Sequence, residues 1–206
     1  MLKIWGRLTS VNVQKVVWCA DELGVKYERI EAGGKHGIVT TPEYRAMNPN
    51  SLVPVIDDDG FVLWESNAIV RYLAAKYGEG TLWPSDVRVR ADADRWMDWQ
   101  AVSLNPSIGP AFLQLVRTAP EKRDAGIIEN ARAEVEKKLA ILDTQLATRE
   151  YVTGSGFTMG DIPIACSVDR WYKLPLIRET HSNVERWFKT VSARKGAQQV
   201  VQLALA

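Results

Sequence analysis

One short segment constrains the fold of this chain more than any other, because a proline interrupts an apolar run beside a tight turn. Residues 53–56 are Val-Pro-Val-Ile, residues 57–60 are Asp-Asp-Asp-Gly, and residues 61–64 form a second apolar run. Two short apolar runs joined by Asp and Gly predict a β-hairpin. Pro54 cannot donate a hydrogen bond to a neighbouring strand, so it predicts an edge position or a cis peptide bond.

Glu65 and Ser66 follow the hairpin at the start of a predicted helix. Apolar residues recur at a spacing of four from Ile69 to Tyr77, as on one face of a helix. The free N–H groups at a helix N-terminus suit a carboxylate, and a neighbouring acid can bind an ammonium group. These features predict a site for a zwitterion, such as the γ-glutamyl end of a peptide.

The pairs Val53-Pro54 and Glu65-Ser66, at this spacing, resemble the glutathione-binding signature of the cytosolic glutathione S-transferase family. The resemblance spans essentially the whole chain and is nearest to bacterial, serine-type members of the theta and phi classes. It implies that Leu52, Val53, Pro54, Glu65 and Ser66 bind glutathione. Taken alone, Pro54 fits an edge strand and Glu65-Ser66 fits a helix cap.

The loop before the first predicted helix holds the candidates for activating a thiol. Residues 10–15 resemble the Ser-x-Asn-x-x-basic pattern of the serine-type classes, which gives Ser10 the role of donating a hydrogen bond to the glutathione thiolate. Asn12 is the second candidate, and simple capping of the helix is the alternative for Ser10. A charge-assisted hydrogen bond contributes about 1.5–3 kcal/mol, which matches a fall of about two units in a thiol pKa. No metal is required.

The resemblance also implies basic residues, in the loop before the second helix, for the glycine carboxylate of glutathione. Lys35 and His36 are the candidates, although Thr40 and Thr41 occupy the usual positions of that basic pair. A solvated loop is the alternative for both. Aromatic and aliphatic side chains of the predicted helical region suggest a pocket for a small apolar electrophile, with a simple interdomain core as the alternative. The pocket candidates are Trp99, Leu104, Ile108, Phe112 and Tyr172.

The order of predicted elements indicates an α+β chain of two domains. A thioredoxin-like βαβαββα domain over residues 1–79 is followed by a linker at 80–86 and an all-α helical bundle over 87–206. Pro106 and Pro110 should bend or interrupt the first long helix of the bundle. Ser182 and Glu185 form a predicted capping box at a later helix start.

Charge and cysteine usage restrict the cellular setting and the partners. The formal net charge of +1 gives no reason to expect a nucleic acid. Cys19 and Cys166 lie in apolar helical patterns and are predicted to be buried thiols, which favours a reducing, cytoplasmic location. No apolar run is long enough to span a membrane. The resemblance implies a homodimer that uses glutathione as co-substrate, with no tightly bound cofactor.

The favoured interpretation is a glutathione transferase in which the thiolate attacks an electrophilic carbon. Two alternatives remain open on the same fold. One is a glutathione-dependent peroxidase or disulfide-bond reductase, which is favoured if Asn12 and Thr9 hold the sulfur. The other is a non-catalytic binding protein. A protein-disulfide oxidoreductase is disfavoured, because residues 6–12 contain no cysteine.

Overall fold

A computed structural model describes residues 1–205 of this 206-residue chain. The N-terminal domain contains a four-stranded sheet in the order β2-β1-β3-β4. Strand β1 is parallel to β2, whereas β3 is antiparallel to both β1 and β4. The predicted thioredoxin-like βαβαββα domain is confirmed, with a parallel βαβ half followed by an antiparallel ββα half. The strands are β1 (Leu2–Trp5), β2 (Tyr27–Ile30), β3 (Val55–Asp58) and β4 (Phe61–Trp64).

Three helices complete this domain: α1 (Val11–Glu22), α2 (Pro42–Met47) and α3 (Ser66–Tyr77). Helix α2 begins where the sequence carries both a cap and a proline at the first helical position. The Thr41 hydroxyl accepts a hydrogen bond from the Tyr44 N–H at 3.3 Å.

The C-terminal domain is helical, and no strand follows β4 within residues 1–205. Two π-helical turns, Gln100–Leu104 and Leu113–Arg117, flank the segment that contains both prolines. The predicted interruption therefore takes the form of widened turns, and the helical path continues through them. None of the helices within residues 1–205 is long and apolar enough to cross a membrane. The helices are α4 (Val87–Trp99), α5 (Asn105–Phe112), α6 (Ala125–Leu146), α7 (Asp161–Tyr172), α8 (Ser182–Ser192) and α9 (Gln198–Val201).

Helix α1 is buried because it lies between the sheet and the C-terminal domain. Trp18 on α1 is fully buried and stacks on Phe157, with ring centroids 6.5 Å apart. A Cβ atom added to Gly196 would lie 2.8 Å from the backbone of Trp18 and Glu22. Glycine at this position therefore lets the C-terminal chain rest directly on α1.

The predicted buried thiols are confirmed, whereas the predicted capping box is wrong. Cys19 and Cys166 are buried and unpaired, and burial raises the pKa of each thiol. Helix α8 begins at Ser182, but neither that residue nor His181 before it supplies a side-chain cap. Asp143 on α6 instead accepts the Asn183 N–H at 2.8 Å, because packing of α6 against α8 brings a carboxylate to the helix start.

Candidate functional site

A small cleft opens where β3 and α3 begin, and it gathers most of the residues that the sequence predicts for peptide binding. We call it the Pro54 cleft. Side chains from three separate segments of the N-terminal domain line it: Asn12, Asn48, Asn50, Leu52, Val53, Pro54, Glu65 and Ser66.

Val53 presents its backbone at the edge of the cleft. The Val53–Pro54 peptide bond is cis, as predicted. Strand β3 begins only at Val55, and the N–H and C=O of Val53 make no hydrogen bond within residues 1–205. The preceding Leu52 C=O is fixed by the Tyr44 hydroxyl at 2.8 Å and the Asn48 amide at 2.9 Å. An extended peptide could therefore pair with Val53 without displacing an existing bond.

Glu65 and Ser66 place an acid and a hydroxyl at the N-terminus of α3. Glu65 precedes the helix, its carboxylate is exposed, and it makes no cap hydrogen bond. Its backbone has a positive φ of 71°, which is uncommon for a residue with a side chain. Such conformations concentrate at binding sites, where surrounding structure holds them in place. Ser66 is the first residue of α3, directly after Glu65, and its side chain is buried.

A buried lysine supports this corner from below. Lys15 Nζ donates to Ser66 Oγ at 3.4 Å, Asn67 Oδ1 at 3.2 Å and Gln100 Oε1 at 3.1 Å. The bond from Lys15 to Gln100 connects the two domains, and Gln100 Nε2 donates onward to Ser167 Oγ at 2.8 Å within the C-terminal domain. We call these five residues the Lys15 network. Burial lowers the pKa of Lys15 to about 8, and Glu65 is among the groups that partly offset this effect.

Ser10 and Asn12 differ in their relation to the cleft. Ser10 immediately precedes α1 in an extended conformation, yet its hydroxyl makes no cap hydrogen bond. The capping alternative for Ser10 therefore has no support in the geometry, and its hydroxyl can serve a ligand. Ser10 is not among the residues that line the Pro54 cleft, whereas Asn12, on the first turn of α1, is.

Lys35 and His36 lie outside the lining of the cleft. They belong to a short 3-10 turn, Gly34–His36. Lys35 is exposed, and His36 Nε2 is 3.6 Å from the carboxylate of Glu31. The structure thus places both near solvent, as in the solvated-loop alternative.

The five residues predicted for a second-substrate pocket do not form one cavity. Leu104 and Ile108 are buried in the core and offer no surface to a ligand. Trp99 lines a surface groove between α4 and α6, and Tyr172 packs edge-on against Phe188 at 5.3 Å. Phe112 is also buried, but two guanidinium groups flank its ring. Helical spacing of apolar residues predicted burial here and could not separate core from pocket.

Among residues 1–205, one group of side chains has ligand atoms close enough for a metal ion: Glu136, Glu179 and His181. His181 Nε2 lies 2.8 Å from Glu136 Oε2. None of the three lines the Pro54 cleft.

Sequence reasoning missed two lining residues, Asn48 and Asn50, and the Lys15 network. The Asn-Pro-Asn run at 48–50 was a usable signal, because Asn side chains commonly bind nearby backbone in turns. The Asn48 carboxamide does so, since its oxygen accepts the Asn50 N–H at 3.0 Å. The burial of Lys15 had no local signal, because its acceptors lie on α3 and on the helical path after α4.

Comparisons with known proteins agree along the whole chain. Residues 9–76 match the family described as glutathione S-transferase, N-terminal domain, and residues 104–195 match glutathione S-transferase, C-terminal domain. The chain is 39% identical to glutathione S-transferase GstB of Escherichia coli K12 over 208 residues, with 100% of both sequences covered. It is 30% identical to glutathione S-transferase 3 of Zea mays, covering 97% of this chain and 93% of that protein.

Solved structures give the same result. The theta class glutathione S-transferase of Xanthomonas axonopodis pv. citri, with glutathione bound, superposes with a TM-score of 0.96 at 42% identity. The alignment covers 100% of this chain and 99% of that one. One relative is well above 30% identical over its full length, and the two domain models of a single family match consecutive parts of the chain. The chain belongs to the glutathione S-transferase family.

Proposed function

We propose that the Pro54 cleft binds glutathione and that the bound thiol is ionised to attack an electrophilic carbon. The observation that carries the proposal is the meeting of Val53, Glu65 and Ser66 in one cleft, with Asn12 at its edge. Family membership makes the protein a glutathione transferase, with glutathione as its co-substrate. One structurally similar transferase has glutathione bound.

Each part of glutathione has a chemically suitable partner in this cleft. The unpaired N–H and C=O of Val53 suit the cysteinyl backbone of an extended peptide. The exposed Glu65 carboxylate suits the γ-glutamyl ammonium, and the N-terminus of α3 with Ser66 suits the γ-glutamyl carboxylate. Lys35 and His36 stay candidates for the glycine carboxylate through movement of their exposed turn.

Ser10 is the proposed donor to the thiolate. Its hydroxyl has no competing cap bond, and it stands before α1, whose N-terminus favours a negative charge. The thiol proton leaves to solvent, and the thiolate then forms the carbon–sulfur bond. The second substrate is a small electrophile with a largely apolar body.

The test is a pH titration of thiolate absorbance in the glutathione complex of the wild type, Ser10→Ala and Asn12→Ala. The pKa of a free thiol is about 8.5. We expect the pKa of the bound thiol to lie about two units lower. Ser10→Ala should raise it by about one to two units, as for loss of a charge-assisted hydrogen bond. Ser85→Ala, at an exposed site, is the control. Unchanged titration in Ser10→Ala contradicts the role of Ser10.

A second function has one specific observation in its favour. Asn12 lines the cleft and Ser10 does not, which suits a glutathione-dependent peroxidase or disulfide-bond reductase in which an amide holds the sulfur. In that case Asn12→Ala alone moves the titration, and Ser10→Ala retains peroxide or mixed-disulfide reduction. A chain that binds glutathione without lowering the thiol pKa is a non-catalytic binder.

The proposed organisation has residues 1–79 as the glutathione-binding domain and 87–206 as the helical domain of a cytoplasmic homodimer. The exposed Phe61 on edge strand β4 supports a dimer. Its ring is tilted against that of Tyr72, with centroids 5.0 Å apart, and forms part of an apolar surface. Light scattering should give a dimer mass for the wild type and a monomer mass for Phe61→Glu. A monomeric wild type rejects the dimer. The free buried thiols of Cys19 and Cys166 suit a reducing compartment.

A further inference from the structure

Three arginines converge at the domain boundary, beside the loop that carries Ser10. The guanidinium carbons of Arg170 and Arg117 lie 4.3 and 5.6 Å from the centroid of the Phe112 ring. Arg7 belongs to the β1–α1 loop, and its backbone C=O accepts the Ser10 N–H at 3.1 Å. We call Arg7, Arg117 and Arg170 the arginine cluster.

The charges of the cluster influence one another. Burial lowers the pKa of Arg7, and the nearby Arg117 lowers it further. Burial lowers the pKa of Arg170 to about 10, and both other arginines act in the same direction. Three cations are thus held close together in a chain whose formal net charge is only +1.

Arg7 and Arg170 have no acidic partner within residues 1–205. Arg7 Nη1 is buried without a hydrogen bond. Asp169, adjacent to Arg170, is instead bound by Lys173 at 2.6 Å. A partly buried cation that lacks an acceptor costs free energy, and a bound anion would remove that cost.

The backbone leaves room for Arg7. A Cβ atom added to Gly34 would lie 2.7 Å from Arg7 Nε and 3.2 Å from its Cδ. Gly34 also has a positive φ of 58°, which side-chain-bearing residues rarely adopt. Glycine at position 34 therefore lets this turn pack directly against the Arg7 side chain, which a larger residue would displace.

We propose that the arginine cluster binds an anionic group of the second substrate, so that the preferred electrophile carries a carboxylate on an apolar body. This inference rests on the proposed function. Guanidinium groups match carboxylates geometrically, and the Phe112 ring positions two of them close together. Because Arg7 and Ser10 belong to one short loop, an anion held here lies beside the sulfur that Ser10 would hold.

The test compares two aryl chlorides that differ in one group. Both carry a nitro group ortho to chlorine, and the para substituent is a carboxylate in one and a carboxamide in the other. In each, the thiolate forms a carbon–sulfur bond and chloride leaves with the electron pair of the broken bond. Each kcat/KM is divided by the uncatalysed rate constant with glutathione, which removes the difference in intrinsic reactivity.

We expect the wild type to favour the carboxylate over the carboxamide by about tenfold or more, as for a charge-assisted contact. Arg7→Gln and Arg170→Gln should each reduce this ratio by about tenfold. Arg88→Gln, which removes an exposed positive charge elsewhere, is the matched control and should retain the ratio. A wild-type ratio near one, or a ratio that survives both variants, overturns the proposal.

Binding of the two glutathione conjugates, measured by calorimetry, keeps the test independent of turnover. The carboxylate conjugate should bind the wild type more tightly, and Arg170→Gln should abolish the difference. If the arginines bind the glycine carboxylate instead, the variants weaken glutathione itself and lose discrimination against glutathione amidated at glycine, which overturns the proposal. Failure of the proposed function is distinguishable, because it appears as absent glutathione binding or an unshifted thiol pKa in the wild type.

Discussion

Two cationic regions lie at the boundary between the domains, and they differ in whether their charge is satisfied. Lys15 is only 3% exposed, and three side-chain oxygens accept hydrogen bonds from its Nζ at 3.1–3.4 Å. Within residues 1–205, Arg7 and Arg170 have no comparable acceptors, and Arg7 Nη1 is buried without one. A satisfied buried cation organises the structure around it, whereas an unsatisfied one is available to a ligand. The Lys15 network therefore supports the proposed glutathione site, and Arg7 and Arg170 of the arginine cluster are available to bind an anion.

The largest expected effect comes from removing an acceptor from Lys15. Gln100→Leu keeps most of the side-chain volume but removes the closest acceptor of the lysine and the bond to Ser167. We expect the free energy of unfolding to fall by about 3 kcal/mol at about pH 5, where Lys15 is charged in both folded proteins, because a buried charge loses compensation. Urea unfolding measures the change, and Gln202→Leu at an exposed site is the control.

The pH dependence of that loss identifies its cause. The pKa of Lys15 is about 8 in the folded protein, against about 10.4 in an unfolded chain. Lys15 is therefore charged in both states below pH 8 and neutral only in the folded state between these values, so its burial cost disappears as pH rises. Gln100→Leu lowers the folded-state pKa of Lys15 further, so the difference between wild type and variant should shrink as pH rises towards about 8 and stay small above it, where Lys15 is neutral in both folded proteins. A difference that is constant from pH 6 to about pH 10 would assign it to packing alone.

A smaller effect is expected at the ligand end of the same region. Glu65→Gln should weaken glutathione binding by about 1.5–3 kcal/mol, because the proposed contact is a hydrogen bond to an ammonium group. Stability should change little, since the carboxylate is exposed and makes no cap bond. Calorimetric titration is the measurement, with Glu79→Gln as an exposed control. Unaltered affinity would remove Glu65 from the site.

The contrast between the regions also explains what the sequence could predict. The hairpin and the start of α2 depend on local signals, namely turn residues, proline positions and short apolar runs. The Pro54 cleft was predictable because Val53, Pro54, Glu65 and Ser66 are close in the chain and their motif resembles a known family. Asn48 and Asn50, from a neighbouring turn, also line this cleft, although they were not among the residues predicted from the sequence.

The features that the sequence did not predict depend on contacts between residues far apart in the chain. The arginine cluster joins residues 7, 117 and 170, and no local pattern indicates that they meet. The cap on α8 comes from Asp143, some 40 residues earlier, and it displaced the capping box predicted at Ser182. Leu104 and Ile108 have the spacing of a buried helical face, which is equally compatible with a pocket until the packing is known.

The smallest expected effect is the sharpest test of the comparison, and it uses two neighbouring cations, Arg170 on α7 and Lys173 directly after its last residue. Arg170→Met retains contact with Phe112 and removes a charge that has no acidic partner in the described part of the chain. The lost cation–π attraction of about 0.5–1 kcal/mol is therefore offset by relief of the cost of burying the charge. Lys173→Met removes the partner of Asp169, which is only 5% exposed and would keep an uncompensated carboxylate. We expect the unfolding free energy of Arg170→Met to lie within about 0.5 kcal/mol of wild type, and that of Lys173→Met to fall by about 1–3 kcal/mol. Equal losses in the two variants would mean that Arg170 is a structural residue like Lys15, and the distinction between a satisfied and an available cation would not hold in this protein.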